Sequence, residues 1–190
     1  MIEAQIKGID LKFITAPGVF SPRAVDMGTL CMLLHAEFLP GDKILDLGCG
    51  YGPVGITAAR LIGEGNVTLC DIDETSLNLA VQNACLNGVP GVKAVLSDGF
   101  DALDEKDFTM ILSNPPYNSD FSLAKRFIEK GFNRLVVGGR LIMVTKRLDW
   151  YKNKLAAVFG NVRVIPDSGY FVFISKKRGE TYSNRKKRPK

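Results

Sequence analysis

Lys43-Ile44-Leu45-Asp46-Leu47-Gly48-Cys49-Gly50-Tyr51-Gly52-Pro53-Val54-Gly55 spells out a strand, a glycine turn and the start of a helix. Its apolar opening predicts a strand covered on both faces. Glycines let the backbone turn sharply and let a ligand approach the main chain. Pro53 fits a first helical turn, where its missing N–H costs nothing. A strand that feeds a helix at once is the unit of parallel sheets, whose strands must be joined by crossovers.

The same alternation runs downstream. Residues 66–71, 92–97, 108–113 and 140–145 are further apolar runs of strand length, read as buried on both faces. Residues 74–87 place Leu77, Ala80, Val81, Ala84 and Cys85 on one helical face, with Gly88 as the stop. Residues 120–135 do likewise with Phe121, Ala124, Phe127, Ile128, Gly131 and Phe132, and 148–159 is another helix. Residues 162–166 and 170–175, separated by Asp167-Ser168-Gly169, form a hairpin. Residues 6–14 hold a small preceding strand or two. The expected fold is α/β: a doubly wound, mostly parallel Rossmann-like sheet closed by an antiparallel C-terminal hairpin.

With 190 residues, 46% of them hydrophobic, the chain suits one well-buried core, expected over residues 1–177. No apolar run approaches the roughly 20 residues that span a bilayer. Residues 1–7 lack a basic stretch followed by an apolar one, so no secretory signal is expected. Cys31, Cys49, Cys70 and Cys85 form no C-x-x-C pair and lie in apolar segments, which predicts reduced, buried thiols and a cytoplasmic protein. The single histidine, His35, lies in an apolar helical stretch, so no metal site is expected. Eight of the 25 basic residues but only one of the 20 acidic ones fall in 176–190, giving that stretch +7 and the rest −2. From Arg178 onward the only apolar side chain is Tyr182, so 178–190 reads as a disordered basic tail.

Residues 50–55 match G-x-G-x-x-G, and Asp71 lies where a dinucleotide fold puts its ribose-binding acid. A nicotinamide enzyme is one reading of this loop, and a tight strand-to-helix turn another. Three acids narrow the choice. Asp46 opens the loop where a cation can be held. Asp71 ends the second strand with Ile72 beside it, a ribose acceptor next to an apolar face for a purine. Asp98 closes the third strand, placed to accept from an exocyclic amine. All three stand at C-terminal strand ends, the edge where such sheets bind ligands. Free N–H groups at the first helical turn suit an anion or carboxylate. Asp73, before Glu74-Thr75-Ser76, reads as a helix cap, and Cys49 and Tyr51 as packing.

Asn114-Pro115-Pro116-Tyr117 follows the fourth strand. Two prolines cannot continue a ladder, and proline holds the residue before it extended. The corner offers the Asn114 oxygen and the Pro115 carbonyl as acceptors for an NH2 group, and the Tyr117 ring as a stacking surface.

Taken in order, Asp46-Leu47-Gly48-Cys49-Gly50-Tyr51-Gly52, Cys70-Asp71-Ile72-Asp73, Ser97-Asp98 and Asn114-Pro115-Pro116-Tyr117 resemble the motifs of S-adenosylmethionine-dependent methyltransferases acting on amino groups. Pro17-Gly18-Val19-Phe20-Ser21 and Asp26-Met27-Gly28-Thr29 are similar to the opening segment of the "methyltransferase small" domain, which includes guanine-N2 methyltransferases of small-subunit ribosomal RNA. The resemblance covers roughly residues 15–176. It implies S-adenosyl-L-methionine as cofactor, with Gly48, Gly50 and Gly52 lining it, Asp71 on its ribose, Asp98 on the adenine amine and Asp46 near the methionine ammonium. Gly28 and Thr29 would close over the methionine end, while Asn114, Pro115 and Tyr117 hold the target. Acceptance of both target N–H bonds would turn the nitrogen lone pair toward the sulfonium methyl, without metal or general base.

Ribosomal RNA members carry a second, degenerate copy of the fold, and release-factor glutamine methyltransferases a helical N-terminal domain; neither is found in these 190 residues. The implied target is guanine N2 in ribosomal RNA, with the tail as a further RNA contact. Protein glutamine, adenine N6, or a non-catalytic RNA-binding role are the alternatives.

Overall fold

The computed structural model describes residues 1–116 and 121–183. A hairpin of β1 (Ile2–Ile6) and β2 (Ile9–Phe13) precedes α1 (Met27–His35). Then come β3 (Ile44–Leu47), α2 (Pro53–Ile62), a 3-10 turn (Glu64–Asn66), β4 (Val67–Asp71), α3 (Glu74–Leu86) and β5 (Lys93–Leu96). β6 (Phe108–Ser113), α4 (Phe121–Arg134), β7 (Leu135–Thr145), α5 (Leu148–Phe159), β8 (Arg163–Asp167) and β9 (Tyr170–Lys176) complete the order.

The main sheet runs β5-β4-β3-β6-β7-β9-β8. Its first five strands are parallel, and β9 and β8 pair antiparallel. Strand alternation sorts the side chains into two layers. Leu45, Leu47, Ile111, Leu141 and Met143 face the α4–α5 side. Ile44, Met110, Leu112, Ile142 and Val144 face α1–α3 and the N-terminal hairpin. All ten are buried, each worth about 1.5–3 kcal/mol on the hydrophobic scale. From β3 the chain moves outward through β4 to β5, then returns to β6 on the other flank of β3. The crevice beyond the C-terminal ends of β3 and β6 is therefore the topological switch point.

Several expectations need correction. β7 begins at Leu135, not 140, because Gly138 (φ +94°) turns its amide to Lys177 O at 2.7 Å and Lys177 returns one to Gly139 O at 2.8 Å. β5 is an edge strand with Lys93 and Leu96 exposed, not a strand buried on both faces. The N-terminal hairpin starts at Ile2; its Lys7-Gly8 turn has two positive φ angles, the geometry that follows strand twist.

α3 turns inward only part of the face expected: Leu77, Ala80 and Ala84 are buried. Val81 and Cys85 are exposed, whereas Leu79 and Asn83 are buried. The cause is the hairpin. Asn83 and Asn87, one turn apart, cover the edge of β2 and the residue after it. Asn83 accepts from Ile14 N (2.6 Å) and donates to Ile14 O and Tyr51 O (2.9 Å each). Asn87 accepts from Lys12 N (3.0 Å) and donates to Lys12 O (2.7 Å). The start of the supposed tail also belongs to the body. Tyr182 packs edge-on to Phe132 with ring centroids 4.9 Å apart, and its hydroxyl donates to Glu129 O at 2.9 Å. Residues 184–190 lie outside the described residues.

Candidate active site

Gly48, Gly50 and Gly52 have φ of +75°, +56° and +95°, the left-handed region that disfavours any side chain. Gly55 is needed for space instead: a Cβ there would lie 2.0 Å from Leu69 Cδ2, so its absence lets α2 sit down on the sheet. Five of the loop amides, those of Gly48, Cys49, Gly50, Gly52 and Gly55, are held within the protein. Gly48 N and Cys49 N donate to Cys70 O (2.8 and 2.9 Å), and Gly52 N donates to Cys49 O (2.9 Å). Gly50 N donates to Asp71 Oδ2 and Gly55 N to Asp46 Oδ2, each at 2.8 Å. The loop is pinned at both ends by carboxylates of adjacent strands.

Asp46 is 2% exposed. Burial pushes its carboxyl up to about 7, opposed by the Gly55 amide and assisted by nearby Asp71. Asp71 also accepts from Asp73 N at 2.9 Å. A carboxylate offers about four acceptor positions, so capacity for two hydroxyls remains. Ile72 beside it is 66% exposed, an apolar side chain held open at the cavity. Asp73 caps α3, as expected, accepting from Ser76 N at 2.8 Å. Asp98 is gripped by both terminal nitrogens of Arg126, one at 3.0 Å, and this hydrogen bonding holds its carboxyl below the usual range.

At the end of β6, Ser113 Oγ donates to Leu47 O at 2.8 Å, which fastens this corner to the end of β3. Asn114 Nδ2 donates to Asp26 Oδ2 and to Thr29 Oγ1, both at 2.9 Å. Thr29, expected at the cofactor, is thus also a partner of Asn114. Tyr51, beyond packing, donates through its hydroxyl to Ser21 O or Ala24 O (3.4 Å each), tying residues 15–25 to the glycine loop. Tyr117 lies outside the described residues.

These elements enclose an open cavity of about 360 Å³ at the switch point. Among the described residues expected to bind cofactor or target, Gly28 and Gly52 stand back from its wall; the others line it. Gly28 instead makes room for a neighbour, since a Cβ there would meet Tyr170 at 2.7 Å and Asp26 Oδ2 at 2.9 Å. Sequence reasoning gave no role to Asp26 or Arg126. Asp26 was recoverable as the acid three residues before Thr29, the spacing of a helix cap. Arg126 left no local signal, being 28 residues from Asp98.

A profile of the methyltransferase small domain matches residues 10–175. The chain belongs to the methyltransferase small domain family. It is 31% identical to ribosomal RNA small subunit methyltransferase C of Pseudomonas putida over 173 residues, covering 89% of this chain and 52% of that one. It is also 31% identical to the YbxB protein of Bacillus subtilis over 179 residues, covering 91% and 89%. Among solved structures it resembles the Thermus thermophilus 16S rRNA N2 G1207 methyltransferase (RsmC) in complex with AdoMet and guanosine. That likeness has a TM-score of 0.85 and 29% identity, covering 93% of this chain and 50% of that one. The chain thus spans about half the length of the Pseudomonas and Thermus relatives and most of YbxB. Among its described residues no helix is long and apolar enough to cross a membrane.

Proposed function

We propose that this methyltransferase small domain transfers a methyl group from S-adenosylmethionine to an exocyclic amine, N2 of a guanine in ribosomal RNA. The observation that carries the reading is the Asn114 amide, held by two hydrogen bonds on the wall of the cavity that also contains Asp71 and Ile72. The relative with guanosine and AdoMet bound together supports the same pairing of ligands.

The cavity residues fit the cofactor's chemistry. Asp71 offers acceptors to ribose hydroxyls, Ile72 an apolar face to a purine, and Asp98 an ionised acceptor to an amine. Asp46 offers a buried carboxyl for an ammonium. When bound, the cofactor supplies an electrophilic methyl on a sulfonium. The chain supplies alignment. A guanine amine is a weak nucleophile because its lone pair is conjugated with the ring; the Asn114 oxygen and Pro115 carbonyl accept its two N–H bonds and free the lone pair to point along the line of transfer, and the alkylated, now acidic nitrogen would give one of those protons to water. The tie from Ser113 to Leu47 keeps the target corner in register with the glycine loop. Tyr117 would stack on the target ring.

The test is transfer of radiolabelled methyl groups to ribosomal subunits, naked ribosomal RNA and protein release factors, followed by digestion to nucleosides. Label recovered as N2-methylguanosine supports the proposal. Label in adenosine or in a protein band moves the reaction to another amine, and cofactor binding without transfer to any of them points to an RNA-binding role.

A further inference from the structure

We infer that Asp26 is a positioning residue that decides which end of the Asn114 amide meets the target. The inference rests on the role proposed for Asn114. An amide side chain can present either its oxygen or its NH2 at nearly the same place, and the two have opposite hydrogen-bonding character. An amine target needs the oxygen. A turned-over Asn114 would set donors against donors.

Asp26 removes that freedom. Its Oδ2 lies 2.9 Å from Asn114 Nδ2, and a carboxylate accepts but does not donate, so the atom facing it must be the nitrogen. Thr29 Oγ1, also 2.9 Å from Nδ2, gives the second proton a partner. The Asn114 oxygen is thereby fixed on the opposite side of the amide. Asp26 is itself held, because the same Oδ2 accepts from Thr29 N at 3.0 Å as the N-cap of α1. Gly28 leaves the necessary gap, since any Cβ there would crowd that oxygen. The first turn of α1 thus acts as a clamp on a side chain 88 positions away.

Asp26→Ser separates clamp from cap. Serine keeps a strong N-cap for α1, but its hydroxyl is too short to reach Asn114 as well. The melting temperature and cofactor affinity should stay close to wild type. The single-turnover rate, measured on whichever polymer the wild type labels, should fall about ten- to hundredfold, as when the outer partner of an oriented ligand is lost. In an Asn114→Ala background the same change should alter the rate by less than about twofold. If Asp26→Ser destabilises the fold, Asp26→Asn takes its place: it keeps the cap, offers only a neutral acceptor, and should show a smaller loss.

A wild-type rate in Asp26→Ser, or an equal loss with and without Asn114, would overturn the inference and leave Asp26 a plain helix cap. Label appearing in protein would instead overturn the RNA reading, with the variant ratios still deciding the role of Asp26. In nitrogen-15 spectra, the Asn114 side-chain amide should move when Asp26 is changed; an unmoved signal overturns the inference even where no transfer is seen.

Discussion

Asp46 holds a carboxyl where an isolated charge is costly. Its folded-state value of about 7 lies above the ordinary 3.8 because burial outweighs the Gly55 amide. The folded protein therefore binds this proton more tightly than the unfolded chain. The group's contribution to stability accordingly falls as pH rises from about 4 to about 7, then levels off. A ligand ammonium beside Asp46 reverses the preference and favours the ionised form. Cofactor binding should then release a proton, and affinity should improve up to tenfold per pH unit between about pH 5 and 7. Calorimetric titrations in buffers of different ionisation enthalpy check this. Heats that ignore the buffer, with an affinity flat in pH, would remove Asp46 from the ammonium site.

At the scale of elements, the glycine loop was legible because positive φ leaves a chemical mark: only glycine does it cheaply. The Asp73 cap and Pro53 at the helix start were legible for similar local reasons. The inward face of α3 was legible only in part, since Leu77, Ala80 and Ala84 are buried as expected. Ranking side chains by hydrophobicity chose Val81 and Cys85, while the buried Asn83 is there to serve a strand edge about 70 residues away, and such long-range demands leave no periodic trace. Asn83→Ala would strand three backbone groups of the hairpin and glycine loop, at a cost of about 2–4 kcal/mol. For a chain of this size that lowers Tm by roughly 5–15 °C. Thermal unfolding should show it, and a shift below about 2 °C would mean that the amide contacts are dispensable.

For the whole molecule, alternating strand and helix patterns were enough to give a mostly parallel sheet closed by an antiparallel hairpin, because binary pattern and right-handed crossovers admit few topologies, whereas the strand order and its switch point came only with the folded chain. Strand-end acids marked residues that line the cavity, but the contacts behind them, Asp26 on Asn114 and Arg126 on Asp98, needed the folded chain. The tail was read as starting at 178, whereas Tyr182 packs against Phe132 and donates to Glu129 O. The five cations of residues 184–190 remain candidates for RNA contact. Each phosphate neutralised on single-stranded RNA adds about −0.7 to the log–log salt slope, so deleting 184–190 should flatten it by up to about 3.5 while leaving cofactor affinity and Tm unchanged. Binding titrations across salt concentrations would expose an inert tail as an unaltered slope. The central claim is that the Asn114 corner orients the target amine for transfer, and single-turnover methyl transfer by Asn114→Ala tests it most directly. The account predicts a rate lower by about 10²–10³, as for loss of a preorganised polar contact, with cofactor affinity within about twofold of wild type. A near-wild-type rate, or a loss explained by weaker cofactor binding alone, would contradict it.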